Sequence, residues 1–85
     1  MSGDNGTMLK KEIKLVITFY TTVDAMMMES LCKEKKMDGR LIPVPGAISA
    51  GCGLAWCAGM ESEDVLRVFM EEQKITYQAV YSCLV

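Results

Sequence analysis

From Ile13 to Tyr20 the odd positions Ile13, Leu15, Ile17 and Phe19 are all apolar, while Lys14 and Thr18 interrupt the even ones. Alternation of this kind, in a run rich in β-branched and aromatic residues, predicts a strand with one face buried. Thr21 and Thr22 then offer N-cap hydroxyls and Asp24 falls in a first helical turn, while Val23, Met27 and Leu31, with Met26, Met28 and Cys32, trace an apolar stripe. Lys33-Glu34-Lys35-Lys36 and then Gly39 are expected to end this helix after about four turns. Arg40 to Val44 reads as a short strand. Pro43 and the adjacent Pro45 suit a sheet margin, where a missing N–H breaks no inner ladder.

Pro45 to Gly53 reads as a loop, and Leu54 to Ala58 as a strand with Leu54 and Trp56 on one face and Ala55 and Cys57 on the other. Ser62 is placed to cap a second helix, with Glu63 and Asp64 in its first turn and Val65, Leu66, Phe69 and Met70 as its buried stripe, closed by Gln73 and Lys74. Ile75 to Tyr81 alternates as a fourth strand, followed by a tail at Ser82 to Val85. The order βαββαβ is that of the ferredoxin-like α+β sandwich, a four-stranded antiparallel sheet with two helices on one face and the first and third strands at its centre. That topology brings the loop around Cys52 to the sheet end that holds Tyr20, Thr21, Thr22 and Lys74. It leaves Val16, Thr18, Tyr20 and Cys57 on an open sheet face suited to pairing with a second copy, so a homodimer or larger assembly is expected.

Composition narrows the function. A chain of 85 residues has room for one core, and 51% hydrophobic residues suffice to build it. We assign residues 13–85 to that single domain. Residues 1–12, Gly-, Asp- and Asn-containing at the start and without the basic and apolar regions of a signal peptide, read as a flexible lead-in, which points to the cytoplasm. With 9 basic against 11 acidic residues, nucleic-acid binding is not expected. The uncharged stretch from Leu41 to Met60 is as long as a spanning helix, but its prolines and glycines favour strand, loop, strand over a membrane segment.

There is no His, which removes the commonest general base and metal ligand and leaves Cys, Lys, Tyr and carboxylates to carry any chemistry. Of the four cysteines, Cys52 stands out. Gly51 and Gly53 flank it, so the backbone can take positive φ, the sulfur is unshielded, and successive N–H groups, with Ser49 close by in the loop, can point at an anion. A helix N-terminus at Thr21 and Thr22, together with Lys74, would favour its thiolate. Cys32 falls on a helical stripe and Cys57 in a strand, about 16 Å from Cys52 if the intervening chain is extended, beyond disulfide reach. Cys83 has no activating neighbour in the sequence. No metal site is expected, since Cys52 and Cys57 have no second pair and no His to complete a ligand set. The phosphate-loop and dinucleotide patterns both fail in this segment, the first at Cys52-Gly53 and the second at Trp56.

Phe19 and Ala25, Leu41-Ile42-Pro43-Val44-Pro45, Ile48-Ser49 and Gly51-Cys52-Gly53-Leu54-Ala55 together resemble a family of small bacterial selenium or sulfur carrier-like domains, over about Lys14 to Tyr81. The chain departs from that pattern at Gly46, where a basic residue commonly follows the second proline. The resemblance implies a cofactor-free carrier in which Cys52 accepts sulfur or selenium as a persulfide-type adduct from a donor protein and passes it to an acceptor. Gly51 and Gly53 would stabilise charge on the adduct, and Ser49, Thr21, Thr22 and Lys74 would line the approach. Such a protein is an accessory to transfer more than a turnover enzyme. The alternative is a regulatory or interaction module, acting through its sheet face or a small-ligand loop, with Cys52 incidental.

Overall fold

The computed structural model describes residues 12–46, 48 and 52–85. The lead-in at 1–11 and the loop positions 47 and 49–51 lie outside the described residues, Ser49 and Gly51 among them. Four strands, β1 (Ile13–Thr18), β2 (Arg40–Pro43), β3 (Leu54–Ala58) and β4 (Ala79–Leu84), form one antiparallel sheet in the order β2-β3-β1-β4. Two helices, α1 (Thr22–Glu34) and α2 (Glu63–Glu72), complete the ferredoxin-like α+β fold, with a 3-10 turn at Met60–Ser62 leading into α2. The proline-bearing β2 takes one margin, as its missing N–H requires.

Both helices pack on one face. Leu15 and Ile17 of β1 and Trp56 and Ala58 of β3 meet Ala25, Met28 and Cys32 of α1 and Leu66, Phe69 and Met70 of α2 in a single cluster, which Phe19 and Ile75 close. The stripe on α1 differs from the one expected. Ala25, Met28 and Cys32 are buried, whereas Val23 is 74% exposed and Met26 and Met27 also face outward. Three consecutive methionines fit more than one helical phase, and contact with the sheet selects the phase in which small Ala25 allows close approach. On α2, Val65 likewise turns out to solvent, at 58% exposure.

The end of α1 is also set differently. Lys36 takes the left-handed conformation at φ 58°, its N–H bonds the carbonyl of Lys33, and Met37 N–H bonds that of Cys32 at 2.8 Å. α2 ends the same way, with Lys74 at φ 57° bonded to Glu71 and Ile75 bonded to Met70. These are Schellman caps with lysine where glycine is usual. Gly39, expected to stop α1, does other work described below.

The fourth strand begins at Ala79, four residues later than the alternation suggested, and includes Ser82 to Leu84. Ile75 and Tyr77 pack against the core before the strand starts, Gln78 N–H bonds Thr18 O at 2.7 Å, and pairing then runs from Thr18↔Ala79 to Ile13↔Leu84. Glu12 and Val85 exchange two further backbone bonds of 3.1 Å, so Glu12 joins the ladder.

The face away from the helices is closed at its centre, not open. Val16, Thr18 and Ala55 are fully buried and Cys57 nearly so, while Tyr20 is exposed. The exposed apolar side chains on the helices are Val23, Met26 and Met27 of α1 and Val65 and Val68 of α2.

Candidate functional site

Chain direction places the Cys52 segment. Thr18 pairs with both Ala55 and Ala79, so the start of β3, the end of β1, the N-terminus of α1 and the approach to β4 share one sheet end. Val44 N–H donates to Gly53 O at 3.0 Å, which carries the β2–β3 pairing one step past Pro43↔Leu54 and closes the base of the loop. Inside it, Ile48 N–H bonds Pro45 O at 2.9 Å, turning the chain directly after Pro-Val-Pro. Gly53 stands at φ +79° with open space where a Cβ would sit, so glycine is required there by backbone conformation and not by crowding.

Cys52 is half-buried and packs against the core cluster. Its Sγ donates to Leu54 O at 3.3 Å and accepts from Leu54 N–H at 3.4 Å. The amide can hold a charged sulfur and the carbonyl a protonated one, so Leu54 serves both forms through its backbone.

The supporting cast is only partly assembled. Thr21 is the N-cap of α1: its hydroxyl accepts Asp24 N–H at 3.2 Å and donates to Asp24 Oδ2 at 2.9 Å. That carboxylate already offsets the positive end of the helix dipole. Thr22 opens the helix and is exposed. Lys74 shapes the α2 cap through its backbone, and among the described residues no hydrogen bond or ion pair links it, Thr21 or Thr22 to Cys52.

The other thiols differ in access. Cys32 lies fully buried in the core, and burial pushes its thiol up to about 11. Cys57 is also raised by burial, which outweighs the opposing charges of Arg40 and Lys14. Cys83, on the edge strand β4 opposite Lys14, is half-buried. All four are free. Among the described residues no group of three His, Cys, Asp or Glu side chains is arranged to hold a metal ion, and no helix is long and apolar enough to cross a membrane.

At the far end of the sheet the structure shows a cluster that the sequence reading missed. Asp38 Oδ2 accepts from Gly59 N–H at 3.1 Å and from Ser62 Oγ at 3.0 Å, while its backbone carbonyl accepts from Trp56 Nε1 at 3.1 Å. The hydroxyl of Ser62 is thus spent on Asp38, and α2 has no side-chain cap of its own. The two bonds to Gly59 and Ser62, with Lys14 nearby, hold the Asp38 carboxyl below its ordinary value. Its signal in the sequence is the Asp-Gly turn at Asp38-Gly39, together with the need of a buried indole N–H for an acceptor.

No curated protein and no solved structure matches the chain. A family model does, over residues 14–82, a span running from β1 into β4 and including the Pro-Val-Pro turn and Cys52. The chain therefore belongs to the family described as Putative Se/S carrier protein-like.

Proposed function

We infer that the protein is a sulfur or selenium carrier and that Cys52 is its acceptor thiol. The observation that supports this reading most directly is the setting of Cys52, which sits within the family match in a loop closed by Val44 and Gly53, with the Leu54 amide directed at its sulfur. The Cys52 thiolate attacks the terminal sulfur of a donor persulfide, the donor S–S bond breaks, and the donor cysteine leaves as a thiolate. The terminal sulfur keeps its proton, a new S–S bond forms on Cys52, and no outside oxidant or reductant is needed. Attack by an acceptor nucleophile on that terminal sulfur reverses the charge flow and frees Cys52. Selenium transfer follows the same bookkeeping, and the partners are a donor and an acceptor protein.

A second reading, a regulatory or interaction module, is favoured by two observations: Cys52 packs against the core, and Asp24 occupies the helix end that would otherwise attract an anion. Incubation with glutathione persulfide, followed by intact mass and peptide mapping, separates the two. The carrier reading expects gain of one sulfur atom on Cys52, lost in Cys52→Ser and passed to an added thiol acceptor. No adduct, or an adduct on Cys83 alone, replaces it with the interaction module.

A further inference from the structure

We propose that the outer face of α2 is a docking site for a cationic amphipathic helix of another protein, a surface independent of Cys52. Val65 and Val68 stand on this face, 58% and 53% exposed. Val68 is a ridge between two hollows. One, of about 430 Å³, is lined by Met37, Val65, Val68 and Phe69 and bracketed by Asp64 and Glu72. The other, of about 370 Å³, lies on the opposite side of Val68 and reaches Ile75 and Tyr77. A ridge flanked by grooves is the relief that a second helix fits.

Charge selects the occupant. Arg67 binds Glu63, with Nη2 to Oε2 at 2.9 Å, which neutralises one carboxylate of α2. Asp64, Glu71 and Glu72 have no ion-pair partner among the described residues. Glu71 and Glu72 also lie in the last turn, where no basic side chain accompanies them and the helix dipole disfavours negative charge. Lys74, the next cation along the chain, pairs with neither. This arrangement works against the stability of the isolated helix, and cations from a partner relieve it. It equally disfavours an anionic lipid surface. Asp64 and Glu72 are two turns apart, about 12 Å along the axis. The matching segment therefore carries Lys or Arg about two turns apart, with apolar residues between them to flank Val68.

The test uses the full chain, labelled with 15N, and a synthetic capped helix bearing a Leu pair between two lysines about two turns apart. Amide shifts mapping to α2 and Met37 are expected, with binding weakened about threefold or more by Asp64→Lys or Glu72→Lys and about tenfold or more by Val68→Asp. Cys52→Ser is expected to leave binding unchanged, so failure of this surface and failure of the carrier reading are separately visible. Equal binding of a peptide with glutamates in place of the lysines, or shifts confined to other elements, overturns the proposal. So does a finding that Val68→Asp abolishes self-association in sedimentation, or adsorption to anionic vesicles, while peptide binding is unaffected.

Discussion

Trp56 donates its indole N–H to the backbone carbonyl of Asp38 at 3.1 Å, and the bond depends on the residue that follows Asp38 having no side chain. A Cβ on Gly39 would collide with Trp56 Nε1 and stand 2.7 Å from the carbonyl oxygen of Cys57, and the residue sits at φ +119°. The turn into β2, the central strand β3 and the start of α2 are thereby held by Asp38 on one side and Gly39 on the other.

Gly39→Ala is accordingly expected to destabilise the fold by about 2 kcal/mol or more, through a clash with β3 and a backbone conformation that L-residues resist. Urea denaturation monitored by Trp56 fluorescence measures it. A loss under about 0.5 kcal/mol, within the range of an ordinary surface substitution, contradicts this account.

Asp38 gives the fold an acid-sensitive term with a definite sign. Its folded carboxyl titrates below the ordinary 3.8, so its stabilisation is complete above that pH and is lost as pH falls through the lower folded value. Asp38→Asn should be less stable than the parent at neutral pH, and the difference should shrink as both are acidified below about pH 3.8. Denaturation midpoints at several pH values check this, and a difference that stays constant rules it out.

The buried thiols act at the other end of the pH scale. The Cys32 thiol is held up at about 11 against an ordinary 9.0, so the unfolded chain loses this proton first and stability falls as pH rises from 9 towards 11. Cys32→Ala, or Cys32→Val where alanine leaves too large a cavity, should flatten that part of the stability profile. An unchanged alkaline slope would exclude Cys32 as its source.

Limiting alkylation near neutral pH should label Cys52 and Cys83 ahead of Cys57 and Cys32, which are modified only on opening of the fold, because the first two thiols are half-buried and the other two buried. Peptide mapping at low conversion reads the order. First labelling at Cys57 or Cys32 would contradict the described packing.

Both helix ends place lysine in the left-handed conformation. Replacing it with glycine removes the Cβ penalty at the cost of added freedom in the unfolded chain, a balance that favours Lys36→Gly and Lys74→Gly by up to about 1 kcal/mol each. A rise in thermal midpoint for the two variants is the expected result, and a fall in both would show that the lysine side chains contribute more than their backbone strain costs.

The β1 alternation, the Pro-marked margin strand, the Leu54–Ala58 strand and the βαββαβ order were legible in the sequence because each is written in local periodicity and turn chemistry. So was the bend beside Cys52, since Gly53 does take positive φ. What lay beyond local pattern was decided by contacts between distant residues. The start of β4 moved to Ala79 because Ile75 and Tyr77 were needed in the core and the ladder with β1 runs to Leu84. The face of α1 was chosen by the sheet, which three adjacent methionines could not specify alone. Ser62 turned from its own helix to Asp38, a partner that only the antiparallel return of the chain brings within 3.0 Å. Periodicity states which residues prefer burial, while the tertiary structure decides against what they are buried, and with that which thiol, carboxylate and helix face remain free to act.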